Sequence, residues 1–167
     1  MNNGIVQALY KTFVRRGFAT LRFNFRGVGA SGGKHDEGDG EVDDVNAAIE
    51  WAKWKHPGRK LLVGGFSFGA WVASRAACER ADVDAVFLIG TPVNKYDFSY
   101  LKSCEKPMLF VHGTQDEHGD VHKLEKLVPS VRNAESVIIT GADHFFTKQL
   151  EVMEETIRAW AEELLDV

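Results

Sequence analysis

Three residues whose types can together perform nucleophilic catalysis follow one another along the chain. Ser67 stands at the centre of Gly-Phe-Ser-Phe-Gly (65–69), and Asp116 and His144 come after it. A serine hydroxyl is a weak nucleophile until a histidine accepts its proton. A carboxylate can then hold that histidine in the required tautomer and stabilise its charged form. The residues therefore predict a nucleophile (Ser67), an orienting acid (Asp116) and a general base (His144).

The glycines around Ser67 predict how the hydroxyl is presented. A short apolar run precedes the motif and an alanine-rich helical segment follows it, which is the strand, turn and helix context that gives Gly-x-Ser-x-Gly its meaning. A sharp turn leaves almost no room for side chains two residues to either side of the serine. The turn also places the backbone N–H of Phe68 at a helix N-terminus, where it can stabilise the negative charge of an attacked carbonyl oxygen.

Other acids and histidines compete for these roles. Glu117 and Asp120 are alternative acids beside Asp116, which could instead cap the following helix, and Asp143 reads as a turn former. Each of Ser67, Asp116 and His144 is nevertheless favoured over its structural alternative. Three of the other five histidines are assigned other roles. His112 is expected to be a hydrogen-bonded packing residue, and His118 and His122 have metal-ligand spacing but lack a third ligand, so no metal site is predicted.

Alternating strands and helices must position these residues. Apolar periodicity and glycine or proline stops predict both kinds of element. The predicted strands are 18–25, 61–64, 85–89, 108–111 and 136–139, and the predicted helices are 5–16, 41–55, a segment from the serine turn to about residue 80, 121–127 and 147–165.

The alternation predicts an α/β fold in a single domain over residues 1–167. The segments 61–64, 85–89 and 108–111 are apolar without polar alternation, as expected of a mostly parallel, doubly wound sheet with helices on both faces. In such sheets reactive residues gather at the carboxyl ends of the strands. Ser67, Asp116 and His144 each follow a predicted strand, so the fold is expected to bring them together.

Composition excludes several classes of partner. A net charge of −4 gives no long-range attraction to nucleic acid or to anionic membranes, and no apolar run reaches the about 18 residues of a membrane helix. A small, neutral or weakly charged molecule is the expected partner. The N-terminal residues do not resemble a signal peptide, and the two cysteines, Cys78 and Cys104, have no spacing that indicates a disulfide or zinc site. We therefore expect reduced thiols and a cytoplasmic location.

Four ordered stretches carry a family resemblance. They are Phe-Asn-Phe-Arg-Gly-Val-Gly (23–29), Gly-Phe-Ser-Phe-Gly (65–69), His-Gly-Thr-Gln-Asp-Glu (112–117) and Gly-Ala-Asp-His-Phe-Phe (141–146). With them the chain resembles the small single-domain bacterial α/β-hydrolases over nearly its whole length. The resemblance implies an esterase-like acyl hydrolase that uses Ser67, Asp116 and His144 as a triad and needs neither a metal nor an organic cofactor. Three aromatic residues near the motifs predict an apolar substrate pocket: Phe66, Phe145 and Phe146.

The resemblance also implies a missing part. Members of this family carry, before the equivalent of Met1, further strands and a loop that donates the second oxyanion N–H. The third of those strands would lie between 18–25 and 61–64. The absence of that strand leaves three possibilities. Residues 18–25 move beside 61–64, or a second copy of the chain covers the exposed sheet edge as a homodimer. The third possibility, which is favoured, is that the sequence is an N-terminally truncated part of a longer one. The alternative to a serine hydrolase is a non-catalytic binding domain or inactive fragment of the same fold.

Overall fold

A four-stranded parallel sheet organises the chain. The computed structural model describes residues 3–165. The strands lie in the order in which they occur in the sequence, and every neighbouring pair is parallel. They are β1 (Leu62–Phe66), β2 (Ala85–Ile89), β3 (Met108–Gly113) and β4 (Ala134–Ile139). The predicted α/β class and parallel sheet are therefore confirmed.

Five α-helices cover both faces of the sheet. They are α1 (Gly4–Arg15), α2 (Asp39–Lys55), α3 (Phe68–Cys78), α4 (Val121–Leu127) and α5 (Leu150–Leu165), with short 3₁₀ helices at Ser99–Ser103 and Val128–Ser130. Apolar residues of α2, α3 and α4 pack with one face of the sheet. Those of α1 and α5 pack with the other face.

The strand β3 shows why its sequence is apolar without interruption. Met108 and Phe110 belong to the core on the α3 side, whereas Leu109 and Val111 belong to the core on the α5 side. All four are at most 1% exposed. Successive side chains of a strand point to opposite faces, so a strand covered on both faces needs apolar residues at every position.

Residues 18–25, predicted as a strand, are not one in this structure. They form no strand, and they do not pair with β1, which lies at the edge of the sheet. A groove of about 400 Å³ lies between residues 18–23 and β1. A strand exists only where its backbone N–H and C=O groups find a neighbouring strand, and residues 18–25 have none within residues 3–165. The prediction that a second copy covers this edge stays a prediction.

The two cysteines form a disulfide, so the prediction of reduced thiols is wrong for this structure. Cys78 ends α3 and Cys104 follows the 3₁₀ helix Ser99–Ser103, which packs beside α3; the two Cα atoms are 5.3 Å apart. The cysteines are 26 residues apart in sequence, and nothing in the residues around either of them indicates that they lie close together in space.

Within residues 3–165, no helix is both long and apolar enough to cross a bilayer.

The disulfide is expected to stabilise the fold. It closes a loop of 26 residues, for which restriction of the unfolded chain corresponds to about 3 kcal/mol. The Cys78→Ser/Cys104→Ser variant should therefore lose about that much free energy of unfolding in urea titrations. Adding a thiol reductant to the parent should lower its stability similarly and leave the double variant unchanged. Equal stability of parent and double variant would contradict the prediction.

Candidate active site

Ser67 lies in a strained turn between β1 and α3. Its backbone angles are φ 54° and ψ −123°, a region that residues with a side chain rarely occupy. The turn is held by two hydrogen bonds, from Ser67 N–H to the Ile89 carbonyl (2.9 Å) and from Ala70 N–H to the Ser67 carbonyl (2.8 Å). A Cβ atom on Gly65 would lie 2.2 Å from the carbonyl oxygen of Gly69. Gly65 is therefore required by close backbone approach, as the motif predicts, whereas a Cβ atom on Gly69 would lie 4.0 Å from the Phe25 ring, an ordinary contact.

His144 links Ser67 to Asp116. The His144 Nδ1 atom is 2.8 Å from Oδ2 of Asp116, and Nε2 is 2.9 Å from Oγ of Ser67. An ionised carboxylate only accepts hydrogen bonds, so Nδ1–H donates to Asp116 and Nε2 is left to accept the serine proton. His144 is only 2% exposed. The structure thus brings the three predicted residues into one hydrogen-bonded series.

The Asp116 carboxylate is held in its ionised form. Burial raises the pKa of this carboxyl group, but hydrogen bonds from His144 and from the His118 N–H, together with the nearby His112, outweigh burial and leave the pKa below its usual value. Oδ1 accepts from the N–H groups of His118 (2.8 Å) and Gly119 (3.2 Å). Oδ2 is thereby free to face His144.

Two loops that follow β3 and β4 brace each other and set this geometry. The Gln115 N–H donates to the Ala142 carbonyl (2.9 Å), and the Gly141 N–H donates to the Thr114 hydroxyl (2.8 Å). The first loop carries Asp116 and the second carries His144. The distance between acid and base is therefore fixed by backbone contacts as well as by their own hydrogen bond.

His112 holds the far end of the Asp116 loop. It is completely buried at the end of β3, and its Nε2 lies 2.7 Å from the Gly119 carbonyl. This is the packing role expected from the sequence.

The competing acids have other partners. Asp120 caps α4 by accepting from the N–H groups of His122 and Lys123. Asp143 accepts from the N–H groups of Phe145 and Thr147, which makes it the turn former that its position predicts. The Glu117 side chain is 64% exposed. Among these acids, the carboxylate that contacts His144 is that of Asp116.

The three predicted pocket aromatics are separated by the structure. The Phe66 ring lies 4.8 Å from the His144 ring, and the Phe145 ring lies 5.2 Å from it. Phe145 is 57% exposed, so an apolar group can contact it from solvent. Phe146 is completely buried in the core between the sheet and α5. Its predicted place in the pocket is wrong, because its side chain is packed among the apolar residues of that core.

Sequence reasoning missed two residues beside His144. A Cβ atom on Gly90 would lie 3.2 Å from the His144 ring and from the Phe66 ring, so the absence of a side chain after β2 makes room for the imidazole. His118 packs its ring against His144, with centroids 4.5 Å apart. Two features of the sequence could have indicated them: a glycine directly after the buried strand β2, and a histidine two residues after Asp116.

Within residues 3–165 no group of three or more His, Cys, Asp or Glu residues is arranged to hold a metal ion.

A protein-family model described as an alpha/beta hydrolase domain matches residues 1–165. The chain belongs to the α/β-hydrolase family. Membership supports a hydrolytic function for the chain. An uncharacterised protein of Rickettsia prowazekii is 40% identical over 167 residues, which cover 94% of this chain and 70% of that protein.

Solved structures agree with the family. A serine hydrolase without a lid from Xanthomonas campestris superposes with a TM-score of 0.91 at 30% identity, covering 100% of this chain and 76% of that one. An alpha-beta serine hydrolase homologue from Coxiella burnetii superposes with a TM-score of 0.88 at 35% identity, covering 94% of this chain and 76% of that one. This α/β-hydrolase chain thus shares its fold with longer chains.

The lowered pKa of Asp116 predicts a pH-dependent contribution to stability. A carboxyl group whose folded pKa is depressed stabilises the fold above its unfolded pKa of about 3.9, and this stabilisation is lost as the pH falls through the lower folded value. We expect Asp116→Asn to lower the free energy of unfolding by about 1–2 kcal/mol at pH 7. Urea titrations from pH 7 to pH 3 should show this difference shrinking below about pH 4.

The matched control is Asp43→Asn, on an exposed position of α2. It should change the free energy of unfolding by less than about 0.5 kcal/mol at every pH. A constant difference between Asp116→Asn and the parent down to pH 3 would contradict the assignment.

Proposed function

We propose that this α/β-hydrolase chain is a serine hydrolase that cleaves a small ester, thioester or related acyl substrate through an acyl-enzyme. The observation that carries the proposal is the series of hydrogen bonds from Ser67 Oγ through His144 to Asp116, at 2.9 and 2.8 Å. The residue order Ser, Asp, His is the one that this family uses.

In the first half of the proposed reaction, His144 Nε2 takes the proton of Ser67 while the serine oxygen attacks the carbonyl carbon of the substrate. The Asp116 carboxylate stabilises the imidazolium that forms. Collapse of the tetrahedral intermediate breaks the bond to the alcohol or thiol, which receives the proton from His144. In the second half, water attacks the acyl carbon with His144 again as base, and the bond between that carbon and Ser67 Oγ breaks. His144 returns the proton to Ser67 as the acid product leaves. The sequence of steps requires neither a metal nor a cofactor.

The backbone N–H of Phe68 supports the proposal from the oxyanion side. Phe68 is the first residue of α3, and the first N–H groups of a helix have no partner within the helix. They lie at the positive end of the helix dipole. A donor of this kind is worth about 3 kcal/mol in the barrier of acyl transfer. The second donor that the family resemblance implies stays a prediction.

The surroundings of His144 favour an apolar acyl or leaving group. Phe145 presents an exposed ring beside the imidazole, and Phe66 lies 5.8 Å from Phe145. The net charge of −4 does not attract an anionic substrate. A small neutral ester is the substrate class that these features support.

Replacement of Ser67 tests the proposed nucleophile. A fluorophosphonate probe should label the parent at one site per chain and should not label Ser67→Ala, because the phosphorus atom bonds to the activated serine oxygen. The control is Ser99→Ala, an exposed serine in the 3₁₀ helix, which should label like the parent. Absence of labelling in folded parent protein would overturn the proposal and favour a non-catalytic domain.

Replacement of Phe145 tests the apolar pocket. We expect Phe145→Ala to lower kcat/KM for p-nitrophenyl hexanoate about fivefold, which corresponds to about 1 kcal/mol of lost apolar contact, and to affect the acetate ester less. Trp54→Ala removes a 74% exposed ring on α2 and should leave both rates unchanged. A parent preference for acetate over longer esters would count against an apolar acyl pocket.

A further inference from the structure

The imidazole of His144 is enclosed by other rings, one of which is a second imidazole. The His118 and His144 rings lie 4.5 Å apart at an interplanar angle of 87°, an edge-to-face contact. Phe66 and Phe145 contact the same imidazole at 4.8 and 5.2 Å. Of these neighbours, His118 alone has a side chain that can carry a charge.

His118 contacts both partners of the hydrogen-bonded pair. Its backbone N–H donates to Asp116 Oδ1 at 2.8 Å, while its side chain packs on His144. The His118 side chain is 34% exposed and the His144 side chain 3%. His118 therefore exchanges protons with solvent more readily than the imidazole that it covers.

We propose that His118 is a positioning residue for His144 whose own protonation opposes the formation of the His144 imidazolium. Its catalytic consequence rests on the proposed function. In the neutral state, the His118 ring packs against the His144 imidazole and restricts its rotation. In the protonated state, it places a positive charge beside a ring that must itself become positive when it accepts the Ser67 proton.

The charges around His118 give the direction of the effect. Two cations 4.5 Å apart repel each other, and the repulsion is strengthened where the site is partly removed from water. Oε1 of Glu117 lies 3.7 Å from Nε2 of His118, but the Glu117 side chain is 64% exposed. Solvent therefore screens the attraction between the Glu117 carboxylate and a protonated His118, so Glu117 offsets little of the repulsion between the two rings. Asp116 directs its Oδ2 to His144 instead.

An NMR titration of the histidine rings tests this coupling without requiring turnover. In His118→Phe, which keeps an aromatic ring and removes the charge, the titration midpoint of His144 should rise by about half a pH unit or more. His118→Gln, a second neutral variant, should shift it in the same direction even if the larger ring of the first variant disturbs folding. An unchanged His144 midpoint in both variants would overturn the proposal.

The matched control is His122→Phe. His122 lies in the same segment, its side chain is 81% exposed and it contacts Glu125. This variant should leave the His144 midpoint within about 0.1 pH unit of the parent. A shift as large as that of the His118 variants would mean that general charge, not ring contact, sets the midpoint, and would also overturn the proposal.

The rate of fluorophosphonate labelling tests the catalytic consequence. At pH 8, His118→Phe should label within twofold of the parent because the phenyl ring keeps the contact with the His144 imidazole, and His118→Ala should label at least fivefold more slowly because the His144 ring loses its support. At pH 5.5, His118→Phe should retain a larger share of its pH 8 rate than the parent does. Equal rates of all three proteins across this range would overturn the positioning role.

Should the parent fail to label at all, the serine-hydrolase proposal fails, and the NMR titration still decides the His118–His144 coupling.

Discussion

The hydrogen bonds of one buried histidine hold the site together. His144 joins Asp116, 28 residues before it, to Ser67, 77 residues before it. It can do so only because β1, β3 and β4 run in parallel and end at the same edge of the sheet. α-Helices cover both faces of this sheet, as parallel strands require, and they bury the side chains of β2 and β3. The position of one imidazole thus depends on the whole layered arrangement.

Each of the three side chains is positioned by backbone contacts as well as by its own hydrogen bonds. The strained turn at Ser67 is closed by bonds to Ile89 and Ala70, and the loops after β3 and β4 are tied together by Gln115 and Gly141. Such bracing permits a buried carboxylate to stay ionised, because fixed N–H donors replace the water that burial removes. It also keeps a backbone conformation at Ser67 that would otherwise relax.

Two of the three wrong structural predictions share a cause. Residues 18–25 have the composition of a strand, yet a strand requires a neighbour, and the edge of β1 is separated from them by a groove. Cys78 and Cys104 have no recognisable spacing, yet the packing of α3 beside the 3₁₀ helix brings their Cα atoms to 5.3 Å. Both outcomes depend on which segments meet in space, and local composition carries no information about that.

The sequence by itself determined the alternation of elements, the parallel class of the sheet, the turn around Ser67 and the order of the three polar residues. These are properties of local pattern: apolar runs, glycines at fixed offsets and side-chain chemistry. The motifs also favoured Asp116 over Asp120 and Asp143, and Asp116 is the acid that faces His144. The tertiary structure alone decided that Phe146 lies in the core and that His118 packs on the imidazole. Those facts depend on side-chain direction and on contacts between distant loops, which are set only when the sheet and its helices have packed.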